Sequence, residues 1–183
     1  WFLSDKGVIK AAFNSVYEIY ISLVYFGVEP ENLLYDPMIM DALLDENGSH
    51  DLESVASRFL QAPPWDITAV MADKGWDFGS TPMQVLAPYN ALDTHYAWRL
   101  IPPMWAELVK NKLDTLYFEH YIPMARLCAR MQARGIKVDR EWCGAVDKHY
   151  GKESSKLISY LRESQKLPDD FNPNSSQQVS KVI

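Results

Sequence analysis

The stretch Leu33-Leu34-Tyr35-Asp36-Pro37-Met38-Ile39-Met40-Asp41-Ala42-Leu43-Leu44 constrains this chain more than any other. Its first four residues read as a short buried strand ending on an acid, and a proline follows at once. Proline is favoured at the first helical position, where its missing N–H has no partner to lose and its fixed φ is already helical. The stretch therefore predicts a strand over residues 33–36 that passes directly into a helix over residues 37–44. Gly27 and Pro30 interrupt the pattern upstream and set this unit apart.

Elsewhere the periodicity is helical. Residues 8–26 are dense in aromatic and β-branched side chains, and Asn14, Tyr17, Glu18 and Ile21 recur at helical spacing, which predicts a helix there. Turn chemistry at residues 45–50 precedes a capped helix over residues 51–60, with Leu52, Val55, Ala56 and Phe59 on one face. Prolines, glycines, Trp65 and Trp76 make residues 61–79 an irregular excursion with room for one helical turn. Residues 82–100 are again helical, with Pro88 read as a helix start and Pro102-Pro103 as a stop. Residues 104–134 predict one or two long helices ended by Gly135, and a domain boundary is expected near residue 105. Asp139 caps a further helix from Arg140 to about residue 166, and the polar turn around residues 171–178 leads into a helix cut off at Ile183.

Composition narrows the possible roles. The chain is 48% hydrophobic, enough to bury a core, and its net charge of −6 argues against holding nucleic acid by bulk positive charge. It does not argue against a nuclease, because a metal-dependent site must concentrate carboxylates. The longest apolar run, residues 19–28, is broken by Tyr20, Ser22, Tyr25 and Gly27, and reaches only about half of a membrane span. Cys128 and Cys143 stand far apart among few other ligands, which suggests neither a disulfide framework nor a zinc site and favours a reducing, cytoplasmic setting. The start, Trp1-Phe2-Leu3-Ser4-Asp5-Lys6, does not read as a signal peptide and looks like entry in mid-domain.

Two pairs can carry chemistry. Tyr89 and Asp93 stand four apart, so a helix would present a phenol and a carboxylate on one face. A carboxylate can hold a divalent metal while a phenol positions the water that attacks phosphorus. Spacing alone equally describes a buried tyrosine beside a solvated acid, the commoner outcome. Asn14 and Glu18 likewise share a helix face, and a polar surface stripe accounts for them as well. Arg126, Arg130 and Arg134 form a basic stripe that either faces a phosphate backbone or, more commonly, is salt-bridged. His50, His95, His120 and His149 lack metal-ligand spacing and read as structural or exposed.

Taken in order, these segments resemble DNA polymerase I-like (family A) DNA polymerases, particularly those of bacteriophages. Tyr89-Asn90-Ala91-Leu92-Asp93-Thr94-His95-Tyr96-Ala97-Trp98-Arg99-Leu100 resembles the family's third exonuclease motif, Tyr-x-x-x-Asp on a helix. Residues 35–44 and 49–60 are similar to its strand, helix and His-x-Leu helix. Pro123, Met131, Gly135, Ile136, Val138 and Asp139 match its signature at the entry to the polymerase region, and residues 171–179 match its Phe-Asn-x-x-Ser-x-x-Gln-Leu turn near the thumb. The resemblance covers most of residues 10–183 and is weakest over residues 65–79.

The resemblance implies an α/β, ribonuclease H-like (DnaQ-like) 3′→5′ exonuclease domain over residues 1–104, incomplete at its N-terminus. A mainly α-helical thumb-entry segment would follow over residues 105–183. It implies a DNA-directed DNA polymerase with proofreading in a longer parent, a fragment inactive by itself, and two Mg²⁺ or Mn²⁺ ions in a complete site. Asp93 would be a metal ligand, Tyr89 would orient the attacking water, and Asn14 would support substrate binding. The family's second motif is Asn-x-x-Phe/Tyr-Asp, whereas Asn14-Ser15-Val16-Tyr17-Glu18 places a glutamate, Glu18, at the metal-ligand position. The first motif, Asp-x-Glu on a strand, is expected before Trp1. Asn172, Ser175 and Gln178 are weaker DNA-binding candidates. The implied partners are primer-template DNA, a single-stranded 3′ end and a processivity factor or replisome protein, in the host cytoplasm for a phage protein. A stand-alone exonuclease and a degenerate domain kept as a DNA-binding scaffold are the alternatives.

Overall fold

The computed structural model describes residues 1–180, which divide into two compact units, the first Trp1–Gly135 and the second from Ile136 onward. In the first, β1 (Lys10–Ala11) pairs in parallel with β2 (Leu33–Tyr35), Lys10 opposite Leu33 and Ala11 opposite Tyr35, with an irregularity between them. This pair is the only sheet among the described residues, so the α/β character expected is present but helices dominate.

The helix expected over residues 8–26 begins later, and this corrects the reading from periodicity. Helix α1 spans Ser15–Ile21 and continues as a wider π turn, Ser22–Phe26. Asn14, at φ 65°, sits in the left-handed region and separates strand from helix. Ahead of it the buried Lys10 ammonium donates to the carbonyls of Asp5 (2.7 Å), Glu31 (2.7 Å) and Val8 (3.1 Å), which ties this segment down as an edge strand. The bond to Glu31 joins residues 21 positions apart, beyond the reach of any local pattern.

The strand-to-helix unit forms as the sequence predicts. Helix α2 (Pro37–Leu44) starts on its proline, and the buried Asp36 carboxylate caps it by accepting from the N–H of Met38 at 2.9 Å. The same carboxylate accepts the N–H of Asn14 (3.1 Å) and Ser15 (2.6 Å), so one side chain fixes the end of β2, the start of α2 and the start of α1. Helix α3 (Leu52–Leu60), capped by Asp51, buries Val55 and Ala56 as its apolar face requires. Within the excursion lies α4 (Thr68–Lys74).

Helix α5 runs unbroken over Met83–Lys110 with Pro88, Pro102 and Pro103 inside it, a second correction. Each interior proline costs roughly 3 kcal/mol in helix propensity. Opposing this, Leu100, Met104 and Leu108 recur every fourth residue and are completely buried, at about 1.5–3 kcal/mol each. They form one core with Met40 of α2, Val55 and Ala56 of α3, and Tyr117, so tertiary burial holds the helix through its prolines. A short helix α6 (Asp114–Leu116), a π turn (Tyr117–Tyr121) and α7 (Ile122–Arg134) follow, and α7 ends on Gly135 at φ 67° as expected. The Tyr117 hydroxyl accepts the N–H of Asp36 (2.8 Å) and donates to the carbonyl of Leu34 (3.1 Å), joining this late segment to β2. Ile19, Leu33 and Ala129 make a second buried cluster, where α7 meets α1 and β2.

Two of the three arginines of the α7 stripe are salt-bridged. Arg126 (2.8 Å) and Arg130 (2.7 Å) both hold Glu29, and Arg126 also donates to the carbonyls of Pro30 and Leu33.

The second unit, described by itself, holds α8 (Arg140–Gln165), capped by Asp139, and a single turn α9 (Ser176–Val179), capped by Ser175. The expected end of the last helix at Ile183 lies outside the described residues. Among the described residues no helix is long and apolar enough to cross a membrane.

Candidate active site

Asn14, Glu18, Tyr89 and Asp93 line one open cavity of about 750 Å³ in the first unit. Asn14 and Glu18 come from the start of α1, and Tyr89 and Asp93 come from the middle of α5. Two pairs each compatible with a bland surface reading thus converge across 75 residues of sequence on a common wall. The starts of α2 and α3 complete it through Met38 and Leu52. A smaller cavity of about 340 Å³ shares Tyr89 and Asp93 and is walled by Glu53, Trp65 and Asp66.

The electrostatics distinguish the members. Partial burial raises the pKa of Glu18 above the ordinary carboxylate value, and no cation beside it offsets this. Burial first, and then the negative charges of Asp93, Asp66 and Glu53, raise the Tyr89 phenol above its ordinary value of 10.0. At neutral pH Tyr89 is therefore a protonated phenol that donates or accepts a hydrogen bond and does not act as a base. Asp93 is half-buried and held in place, with the Trp65 indole Nε1 donating to its Oδ1 at 2.8 Å.

Hard divalent cations take oxygen ligands, and Glu18 and Asp93 place two carboxylates on the wall of one cavity. The donor set fits such an ion, and a carboxyl that is desolvated without a cationic partner is the state an added cation would relieve. Asp51 also lines the cavity, but its carboxylate caps α3 by accepting the N–H of Ser54, and among the described residues no group of three or more His, Cys, Asp or Glu side chains is arranged to hold a metal.

Periodicity did not reveal Trp65 or Glu53. Trp65 lies in the excursion whose purpose was not legible, yet it stacks on Tyr96 (centroids 4.5 Å, 28° between planes) while bonding Asp93. Its backbone N–H donates to Glu53 Oε1. A tryptophan in an otherwise polar, proline-rich loop was the available signal. His50 also lines the cavity, with its Nδ1 donating to the buried Asp41 at 2.7 Å, and Arg58 donates to the same carboxylate at 2.6 Å.

Asn172, Ser175 and Gln178 lie in the second unit and serve their own turn. The N–H of Asn172 donates to Gln178 Oε1 (2.6 Å), that of Asn174 to Asn172 Oδ1 (2.9 Å), and that of Gln178 to Ser175 Oγ (3.4 Å).

Comparison with known proteins gives this geometry its context. Residues 2–109 match the 3′–5′ exonuclease family. The chain is 28% identical to the DNA polymerase I of Chloroflexus aurantiacus over 186 aligned positions, covering 100% of this chain and 19% of that protein. It is 25% identical to the DNA polymerase I of Borreliella burgdorferi, covering 98% of this chain and 21% of that protein, and 26% identical to that of Rhizobium leguminosarum, covering 99% and 18%. The chain spans about a fifth of the length of these relatives.

Proposed function

The chain belongs to the 3′–5′ exonuclease family, and from that premise we propose that it is the proofreading segment of a family A DNA polymerase of the polymerase I type, acting on the 3′ end of a DNA primer. The observation that carries this reading is the convergence of Asn14, Glu18, Tyr89 and Asp93 on one cavity, large enough for a nucleotide and bearing the carboxylates of Glu18 and Asp93. A ribonuclease H-like exonuclease fold over residues 1–104, a thumb-entry segment over residues 105–183, cytoplasmic location and a processivity partner belong to the same proposal. So does DNA contact by Asn172, Ser175 and Gln178.

In this reading Glu18 and Asp93 hold divalent cations, Mg²⁺ or Mn²⁺, together with carboxylates from elsewhere in the protein. Bound there, the ions would lower the pKa of a water and stabilise the leaving 3′ oxygen. Tyr89, kept protonated by burial and by its acidic neighbours, orients that water by hydrogen bonding and does not take its proton. Asn14 is exposed at the start of α1 and offers an amide to the terminal nucleotide. Apolar wall residues, Leu52 and Met38 among them, give the nucleotide base a dry surface to pack on.

The test uses the full-length protein that carries this chain. Asp93→Ala is expected to abolish Mg²⁺-dependent removal of a mismatched 3′ terminus while primer extension continues. Persistence of excision would overturn the assignment. One observation favours a second reading, a DNA-binding scaffold without cleavage: the chain has glutamate rather than aspartate in its second motif, and among the described residues no group of three or more acidic, His or Cys side chains is arranged to hold a metal. A wild-type protein that extends primers but neither binds Mn²⁺ through Asp93 nor cleaves a mismatch would establish it.

A further inference from the structure

Building on the reading of Asp93 as a metal ligand, we propose that Trp65 is a positioning residue for that ligand, setting the direction in which its carboxylate meets a cation. The Trp65 indole N–H donates to Asp93 Oδ1 at 2.8 Å, a charge-assisted bond of good length. Indole nitrogen is a donor only, so this contact has one polarity. It commits one oxygen of Asp93 and leaves the other for a cation.

The indole is itself fixed from two directions. Its ring stacks on Tyr96, three residues beyond Asp93 on the same helix, at 4.5 Å between centroids and 28° between planes. The platform and the ligand are therefore on one rigid element. At its other end the loop is held by Glu53 of α3, whose Oε1 accepts the N–H of Trp65 and of Asp66, the latter at 3.1 Å. Glu53, Trp65, Tyr96 and Asp93 thus form a chain of contacts from α3 through the excursion to α5. A loop that merely crossed the surface would need neither a carboxylate anchor for its backbone nor an indole aimed at an acid that faces both cavities.

Groups that orient a metal ligand typically contribute on the order of 10- to 100-fold in metal affinity. The test replaces Trp65, in the full-length protein, by the isostere β-(3-benzothienyl)alanine, which keeps the shape and the stack but has no N–H, and in parallel by phenylalanine. Mn²⁺ binding is followed by electron paramagnetic resonance, with Asp93→Ala as the reference that removes this site alone. Excision of a mismatched terminus is measured against Mn²⁺ concentration, with primer extension and melting temperature as controls.

Loss of the N–H is expected to weaken Mn²⁺ binding at the Asp93-dependent site, and to raise the Mn²⁺ concentration for half-maximal excision, by roughly 10- to 100-fold. Saturating Mn²⁺ should recover most of the rate, and the melting temperature of the isosteric protein should be unchanged. A residue that only packs the loop would alter melting and leave the metal dependence alone. Should Asp93→Ala lose the site while the isostere binds Mn²⁺ as wild type does, the positioning role is overturned and the ligand reading stands. If Asp93→Ala keeps both binding and excision, the ligand reading itself fails. Where the phenylalanine variant melts early, the isostere decides.

Discussion

The Asp36 carboxylate accepts the backbone N–H of Ser15 at 2.6 Å, joining the end of β2 to the first turn of α1 across 21 residues. Because Asn14 and Glu18 flank that turn, the acid that ends the strand also places the acidic wall of the candidate site. The Asn14 N–H donates to the same carboxylate at 3.1 Å, so one buried side chain sets the position of both residues.

Asp36→Ala removes a helix cap and leaves the N–H groups of Asn14 and Ser15 without their partner. A lost cap costs about 0.5–2 kcal/mol and each buried unpaired group about 1–3 kcal/mol. Urea unfolding should show a loss of about 3 kcal/mol or more. Asp36→Asn should also destabilise, because its amide would present a donor to the Ser15 donor. A loss below about 1 kcal/mol in both variants would mean that the α1 start is held by other contacts.

Glu18→Gln keeps the size of the side chain and removes its charge. Mismatch excision by the full-length protein should fall by on the order of 100-fold, with primer extension unchanged, as expected for a group that holds a metal. Glu18→Asp should retain excision to within about tenfold, since it restores the carboxylate at a shorter reach. Equal excision rates for Glu18→Gln and wild type would remove Glu18 from the site.

The Glu29 clasp on α7 gives a pH dependence with a defined sign. Burial pushes the Glu29 carboxyl upward, but the hydrogen bonds and charges of Arg130 and Arg126 outweigh it and hold the pKa below the ordinary 4.5. A depressed folded-state pKa stabilises the fold above the unfolded value and is lost as pH falls through the folded one. The stability difference between wild type and Glu29→Gln should thus be full above pH 4.5 and shrink on further acidification. Chemical denaturation across that range reads it directly, and a pH-independent difference would contradict the ion-pair account.

Pro88 occupies the sixth position of α5, where it withholds an N–H from the carbonyl of Gln84. Pro88→Ala should raise the stability of the folded chain by about 1–3 kcal/mol, the helix gain being partly offset by the greater freedom of the unfolded chain. Thermal melting measures this. A destabilised variant would show that Pro88 makes a packing contribution larger than its helical cost.

Met104→Ala tests the opposing force in the same helix. Met104 is fully buried in the main core, and its truncation should cost about 2–5 kcal/mol. If tertiary burial is what carries α5 through Pro102-Pro103, circular dichroism of the variant should also show reduced helix content.

Local chemistry determined much of this protein. The Asp36-Pro37 junction, the caps at Asp51 and Asp139 and the stop at Gly135 are written in residues whose preference acts over one turn of chain, and each stands where the sequence puts it. The ordered motifs likewise identified the family, because residue type and spacing survive in a linear string. Tertiary structure decided what local rules could not weigh. Lys10 became part of a strand because carbonyls from both sides of the chain surround its ammonium, and α5 passed its prolines because burial of Leu100, Met104 and Leu108 in the main core opposes the backbone cost. The candidate site divides in the same way. Asp93 and Glu18 were legible as pairs with their helical neighbours, but only packing brought the two pairs to one cavity and laid Trp65, from a loop without periodicity, against Asp93. A contact between residues 28 positions apart depends on how the helices pack, and no local spacing encodes it.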